Sequence, residues 1–153
     1  MTGSVKKTII GIVVMVLLGT LVVGLLLGSA VYGWKAAQRA GNEAATLQNM
    51  KTIAAAEIQY YNTHNRTFGT FDQLIEEQML TSKFSGNVPD ADGYTLRLEV
   101  TAKTSNHPSS YILNADFQSE ATGRRHFSID STSNTIHVNP DRSANATDPP
   151  LGE

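Results

Sequence analysis

The 153-residue sequence contains no cysteine, which excludes a disulfide framework and any thiolate zinc site. Neither sign of charge is in large excess: 12 Lys and Arg stand against 14 Asp and Glu, so no basic field points to nucleic acid. There is no G-x-S-x-G, phosphate-binding loop or dinucleotide fingerprint. The four histidines, His64, His107, His126 and His137, lack the spacing of metal ligands on a helix. His126 and His137 read as ordinary sheet histidines. No catalytic residue, cofactor, metal or small-molecule substrate is therefore expected, and the chain reads as a structural or binding protein, not an enzyme. What is present is a stretch without any charge, Ile9 to Gly33, IIGIVVMVLLGTLVVGLLLGSAVYG.

As a helix this stretch is roughly 35 Å long, enough to cross a hydrocarbon core of about 30 Å. It is apolar all round, as a helix in lipid must be and an amphipathic surface helix need not. The sequence thus predicts a transmembrane anchor and a tail over 1–34, with the membrane as its first partner. Lys6 and Lys7 precede the span and Lys35 and Arg39 follow it. The short leading segment favours a cytoplasmic N-terminus. The rival reading is a signal peptide cut after Gly28-Ser29-Ala30, although its apolar run exceeds the usual length. Gly24 and Gly28 form a G-x-x-x-G that lets a second helix approach closely.

After Trp34 the pattern becomes periodic. Ala40, Ala44, Leu47, Ala54, Ile58 and Tyr61 recur at helical spacing, widened by Met50 and Ile53, with Glu43, Gln48 and Lys51 expected elsewhere. Gly24, Gly28, Ala40, Ala44, Leu47, Ala54 and Ile58 are the candidate helix-packing residues. Turn formers at Asn62–Asn65 end the helix. Thr70 and Gln73 form a capping box opening a second helix to about Leu80. Glu76 and Glu77 read as its solvated face.

From Gly93 the period is two. Tyr94, Leu96, Leu98 and Val100 alternate with polar residues. Ser110–Phe117, Arg124–Ile129 and Thr135–Val138 follow as strands. The fold class expected is α+β, a long helix packed on an antiparallel sheet of about four strands over 35–138. Residues 139–153 hold three of the five prolines and read as a flexible tail. Asp90-Ala91-Asp92-Gly93 reads as a plain turn and only faintly as a calcium ligand set. The sequons at Asn65 and Asn145 read as chance matches.

The motifs come in a telling order. Asn42-Glu43-Ala44-Ala45, Leu47-Gln48-Asn49-Met50-Lys51-Thr52-Ile53 and Ala56-Glu57-Ile58-Gln59-Tyr60-Tyr61 are followed by Phe68-Gly69-Thr70-Phe71-Asp72-Gln73-Leu74. Gly93-Tyr94-Thr95 and Thr122-Gly123-Arg124-Arg125-His126-Phe127 come last. In this order they resemble the type IV pilin and type II secretion pseudopilin superfamily. The resemblance covers roughly Gln38 to Val138. It implies a pilin-like head on a single-pass helix in a bacterial inner membrane, with the head periplasmic. It also implies self-association, or packing with other pilin-like subunits, into a filament or a secretion-machine pseudopilus. Three family features are missing. No prepilin peptidase junction follows Lys6-Lys7, and neither the family's glutamate near Met15 nor its proline near Tyr32 is present. A membrane carboxylate is costly unless paired, so its loss fits a chain that is not trimmed. A single-pass accessory module that keeps the head without polymerising is the alternative.

Overall fold

A computed structural model of the chain describes the backbone of residues 2–152 and the side chains of these except 2–10, 12 and 22–32. Helical backbone (α1) runs Thr2–Thr63, and the chain divides into two compact units, Met1–Ala37 and Gln38–Glu153. In the first unit Val13, Val14, Met15, Val16, Leu17, Leu18 and Leu21 are all exposed, Met15 to 78%. Among the described residues no helix is long and apolar enough to cross a membrane. Much of the expected span lies outside the described side chains, including Ile9, Ile10, Ile12, the Gly24 and Gly28 pair and the Gly28-Ser29-Ala30 cleavage reading.

The second unit is α+β. Its part of α1 is rich in alanine and free of proline, which favours helix. It ends where Asn65 and Arg66 take left-handed φ of 52° and 58° and His64 stacks on Tyr60 at 3.8 Å. A short helix (α2) spans Phe71–Glu76. Its predicted box is present: Gln73 N–H donates to Thr70 Oγ1, and Thr70 N–H donates to Gln73 Oε1 at 2.9 Å. Thr70→Ala should therefore lower stability by about 1 kcal/mol, measurable as a shifted urea midpoint at unchanged slope. The helix is shorter than expected because Gln78 turns left-handed, φ 58°. Leu80 is still buried.

Five antiparallel strands follow as a meander, β1 (Asp90–Ala91), β2 (Tyr94–Thr101), β3 (Ser110–Phe117), β4 (His126–Asp130) and β5 (His137–Asn139). The added strand is β1, too short to announce itself by alternation. It meets β2 through Asp92 and Gly93, both at positive φ, as a two-residue hairpin needs. Leu96 pairs with Ala115, and Leu113 with Ile129. One face of this sheet carries Tyr94, Leu96, Tyr111, Leu113, Phe127 and Ile129 into a shared core with Met50, Ile53, Ala54 and Tyr60 of α1.

Two expectations are corrected. The first concerns the buried face of α1. Glu43, Thr46, Met50, Ile53, Glu57 and Tyr60 are buried, whereas Ala40, Ala44 and Ile58 face out. Alanine offers little apolar area, so the larger Met50, Ile53 and Tyr60 set the rotation. The two carboxylates are accepted where the head supplies them with donors. The second concerns residues 139–153, read as a mobile tail. Asp148 gathers Asn139 Nδ2 at 2.8 Å, Arg142 Nη2 at 2.7 Å and the Asn145 amide at 2.8 Å. Val138 N–H donates to Pro149 O, and Leu151 N–H to Ile136 O. Asn114 Nδ2 donates to Ala144 O at 2.7 Å, which brings the segment against β3 and helps explain why Ser128, on neighbouring β4, is buried.

Candidate assembly surface

On the second unit's part of α1, Gly41, Ala44, Gln48, Lys51, Ala55, Ile58 and Asn62 are exposed. Their steps of three and four residues draw one line along the helix. Ile58 is 46% exposed. Beside this line lies a groove of about 350 Å3 lined by Ala54, Ala55, Ile58, Ile129, Ile136 and Leu151 among others. Another of about 360 Å3 is lined by Gln48, Lys51, Thr52, Ala55, Gln59 and Met79 among others. A Cβ added at Gly41 meets nothing within 4 Å. The line mixes small residues, Gly41, Ala44 and Ala55, with the longer Gln48, Lys51, Ile58 and Asn62; close approach of another helix is open at the small positions.

The candidate packing residues divide across this surface. Ala40, Ala44 and Ile58 are exposed; Leu47 is half-buried. Ala54 is buried and lines the first groove. Gly24 and Gly28 lie outside the described residues.

The buried carboxylates went unread in the sequence. Glu43 Oε1 accepts the Arg124 amide at 3.1 Å, and its Oε2 accepts Arg125 Nε at 2.9 Å and Nη2 at 2.7 Å. Arg125 also lies over the Phe127 ring. Glu57 is 0% exposed. Its Oε2 accepts the Gly69 amide at 2.9 Å, and its Oε1 has no hydrogen-bond partner among the described residues. Burial raises its pKa from 4.5 to about 7, and the Gly69 bond opposes this only in part. Tyr111 is pushed up to about 12, first by burial, then by the charges of Glu57 and Asp130. The signal was available: Glu43, Met50 and Glu57 stand seven residues apart, on one face of the helix.

Residues of catalytic type also meet, but not in the order of a nucleophilic triad. Asp116 Oδ1 accepts from His126 Nδ1 and from Ser143 Oγ, both at 2.7 Å. A nucleophilic triad needs the imidazole between serine and carboxylate; here the carboxylate lies between the other two. Asp92 Oδ2 accepts Lys83 Nζ and Asn49 Nδ2, both at 2.8 Å. The Lys83 bond is the main reason its pKa is lowered, with Asn49 next. Among the described residues no group of three or more His, Asp or Glu side chains could hold a metal ion.

No family model matches the chain, and neither a curated protein nor a solved structure matches it.

Proposed function

We propose that this protein is a non-enzymatic, membrane-anchored structural subunit of pilin or pseudopilin type. Its anchor is the uncharged run Ile9–Gly33, with the N-terminus cytoplasmic and the head outside a bacterial inner membrane. Its work is assembly with copies of itself or with other pilin-like subunits, into a filament or a secretion pseudopilus. The observation that carries this reading is the exposure of apolar and small side chains along α1. Val13–Leu18 and Leu21 lie bare in the first unit, and Gly41, Ala44, Ala55 and Ile58 are exposed along one line in the second, with Gln48 and Lys51 between them. Water is a poor solvent for the first set, and lipid or neighbouring helices would cover it.

A cysteine-free chain makes the test direct. Ala44→Cys should form disulfide-linked dimers when native membranes are oxidised, since bridging requires Cα atoms within about 7 Å. Glu99→Cys, exposed on β2, should stay monomeric. Dimers through neither position would remove self-association through this line. The second reading, a single-pass accessory module that does not polymerise, is favoured by one observation. Where the resemblance expects a glutamate the chain has Met15, an exposed thioether without charge. Negative-stain microscopy of membrane extracts separates the two, showing filaments for the first and none for the second.

A further inference from the structure

The segment joining β3 to β4, residues 118–125, is held by three α1 residues within little more than one turn. Arg39 Nη1 donates to Glu120 O at 3.1 Å, Asn42 Nδ2 to Thr122 O at 3.0 Å, and Glu43 binds Arg124 and Arg125 as above. Tyr94 Oη donates to Arg125 O at 3.0 Å from below. The loop is therefore fixed at the point where the chain enters the head. Its side chains are unevenly satisfied. Arg125 is paired with Glu43 and still 44% exposed. Arg39 is partly exposed and, among the described residues, hydrogen-bonds only to a backbone carbonyl. Arg124 is exposed, and among the described residues its guanidinium makes no hydrogen bond or ion pair. The carboxylates here are Glu43, which Arg125 neutralises, and Glu120, which is exposed. Asp116 is taken by His126.

Arg39 stands six residues after Gly33, the last of the uncharged run. Even fully extended, six residues reach only about 20 Å. If that run lies in a bilayer, the loop cannot be far from the headgroups whatever the link's conformation. The planar fork of a guanidinium matches a phosphate better than an ammonium does. We propose that the β3–β4 loop, with Arg39 of α1 beside it, is a membrane-facing foot in which Arg124 and Arg39 bind the phosphates of anionic lipid headgroups, while Arg125 stays paired with Glu43. The inference rests on the anchored reading.

The test uses the full chain with Ala121→Cys, an exposed loop position, carrying a nitroxide. The protein is placed in nanodiscs of phosphatidylcholine alone or with phosphatidylglycerol. Access of a water-soluble relaxation agent to the label should fall in the anionic discs at low salt and recover at high salt, where screening shortens to a few ångströms. Arg124→Gln should reduce the shielded population about fivefold, the effect of one surface charge, and leave the neutral-disc spectrum unchanged. Arg124→Lys should restore part of it. Equal access in both kinds of disc, with the protein co-purifying with the discs, would overturn the foot and leave the anchor standing. A chain that fails to enter discs would overturn the anchored reading and the foot with it.

Discussion

Glu57→Gln is expected to become steadily more stable relative to the parent as pH rises from about 4.5 to about 7, by a total of about 3 kcal/mol. The carboxyl is fully buried, one oxygen bound to the Gly69 amide and the other without a partner among the described residues. Its folded pKa, about 7, lies above the ordinary 4.5. Below 4.5 the acid is protonated in both folded and unfolded chains, and the fold loses nothing. Between the two values the unfolded chain releases its proton while the folded chain keeps it. Folding then binds a proton, and stability falls as pH rises. Above about 7 both forms are ionised and the penalty is constant. Glutamine is neutral throughout and offers Gly69 the same acceptor, so it carries no such slope. The measurement is thermal unfolding of full-length parent and variant in non-ionic detergent, followed by near-ultraviolet circular dichroism over this range. The difference between the two curves is the quantity of interest, because any fixed cost of the amide drops out. Parallel curves would mean that Glu57 reaches water.

The same residue shows where sequence reasoning stopped. Alternation at Tyr94, Leu96, Tyr111 and Leu113 announced the sheet, because strands with one buried face must alternate. Thr70 and Gln73 announced a helix start, because both halves of that box are local. Glu43 and Glu57 could not be placed by the same means. Their partners are Arg124 and Arg125, 81 and 82 residues on, and the amide of Gly69 in a loop. A carboxylate is sorted outward by any scale of polarity until those donors are known. The closing segment failed differently. Asn139, Arg142, Asn145 and Asp148 have the composition of a disordered tail, yet Asp148 binds the other three. Composition counts polar groups without saying whether they satisfy one another. The buried face of α1 was half legible: Met50, Ile53 and Ala54 of the apolar stripe are buried, but Ala44 and Ile58 of the same stripe are exposed. The spacing identifies a face and not what covers it.

Gly123→Ala should be the most damaging single methyl in the head. A Cβ there would stand 2.6 Å from Tyr94 Cζ and 2.7 Å from Phe117 Cβ, and closer still to Tyr94 Oη. None of these can retreat cheaply. Tyr94 is fully buried, packs against Phe117 and Phe127, and its hydroxyl is held by Arg125 O. Overpacking of this kind costs about 1–3 kcal/mol, and loss of the Tyr94 hydrogen bond adds about 1 kcal/mol. A melting temperature lower by on the order of 10 °C follows for a domain of this size. Gly41→Ala is the matched control. It lies on an open helical face, where alanine is favoured over glycine by up to about 1 kcal/mol, so its melting point should not fall. The strain at Gly123 also bears on the loop beside it. Pushing Tyr94 away withdraws its hydroxyl from Arg125, and the 118–125 segment then depends on Arg39, Asn42 and Glu43 and on the Gln118 N–H bond to Gly93 O. Gly123→Ala should therefore raise amide hydrogen exchange at Arg124 and Arg125 more than in β2 or β3. If exchange rose evenly across the head, the loop would be fixed by α1 without help from the tyrosine beneath it.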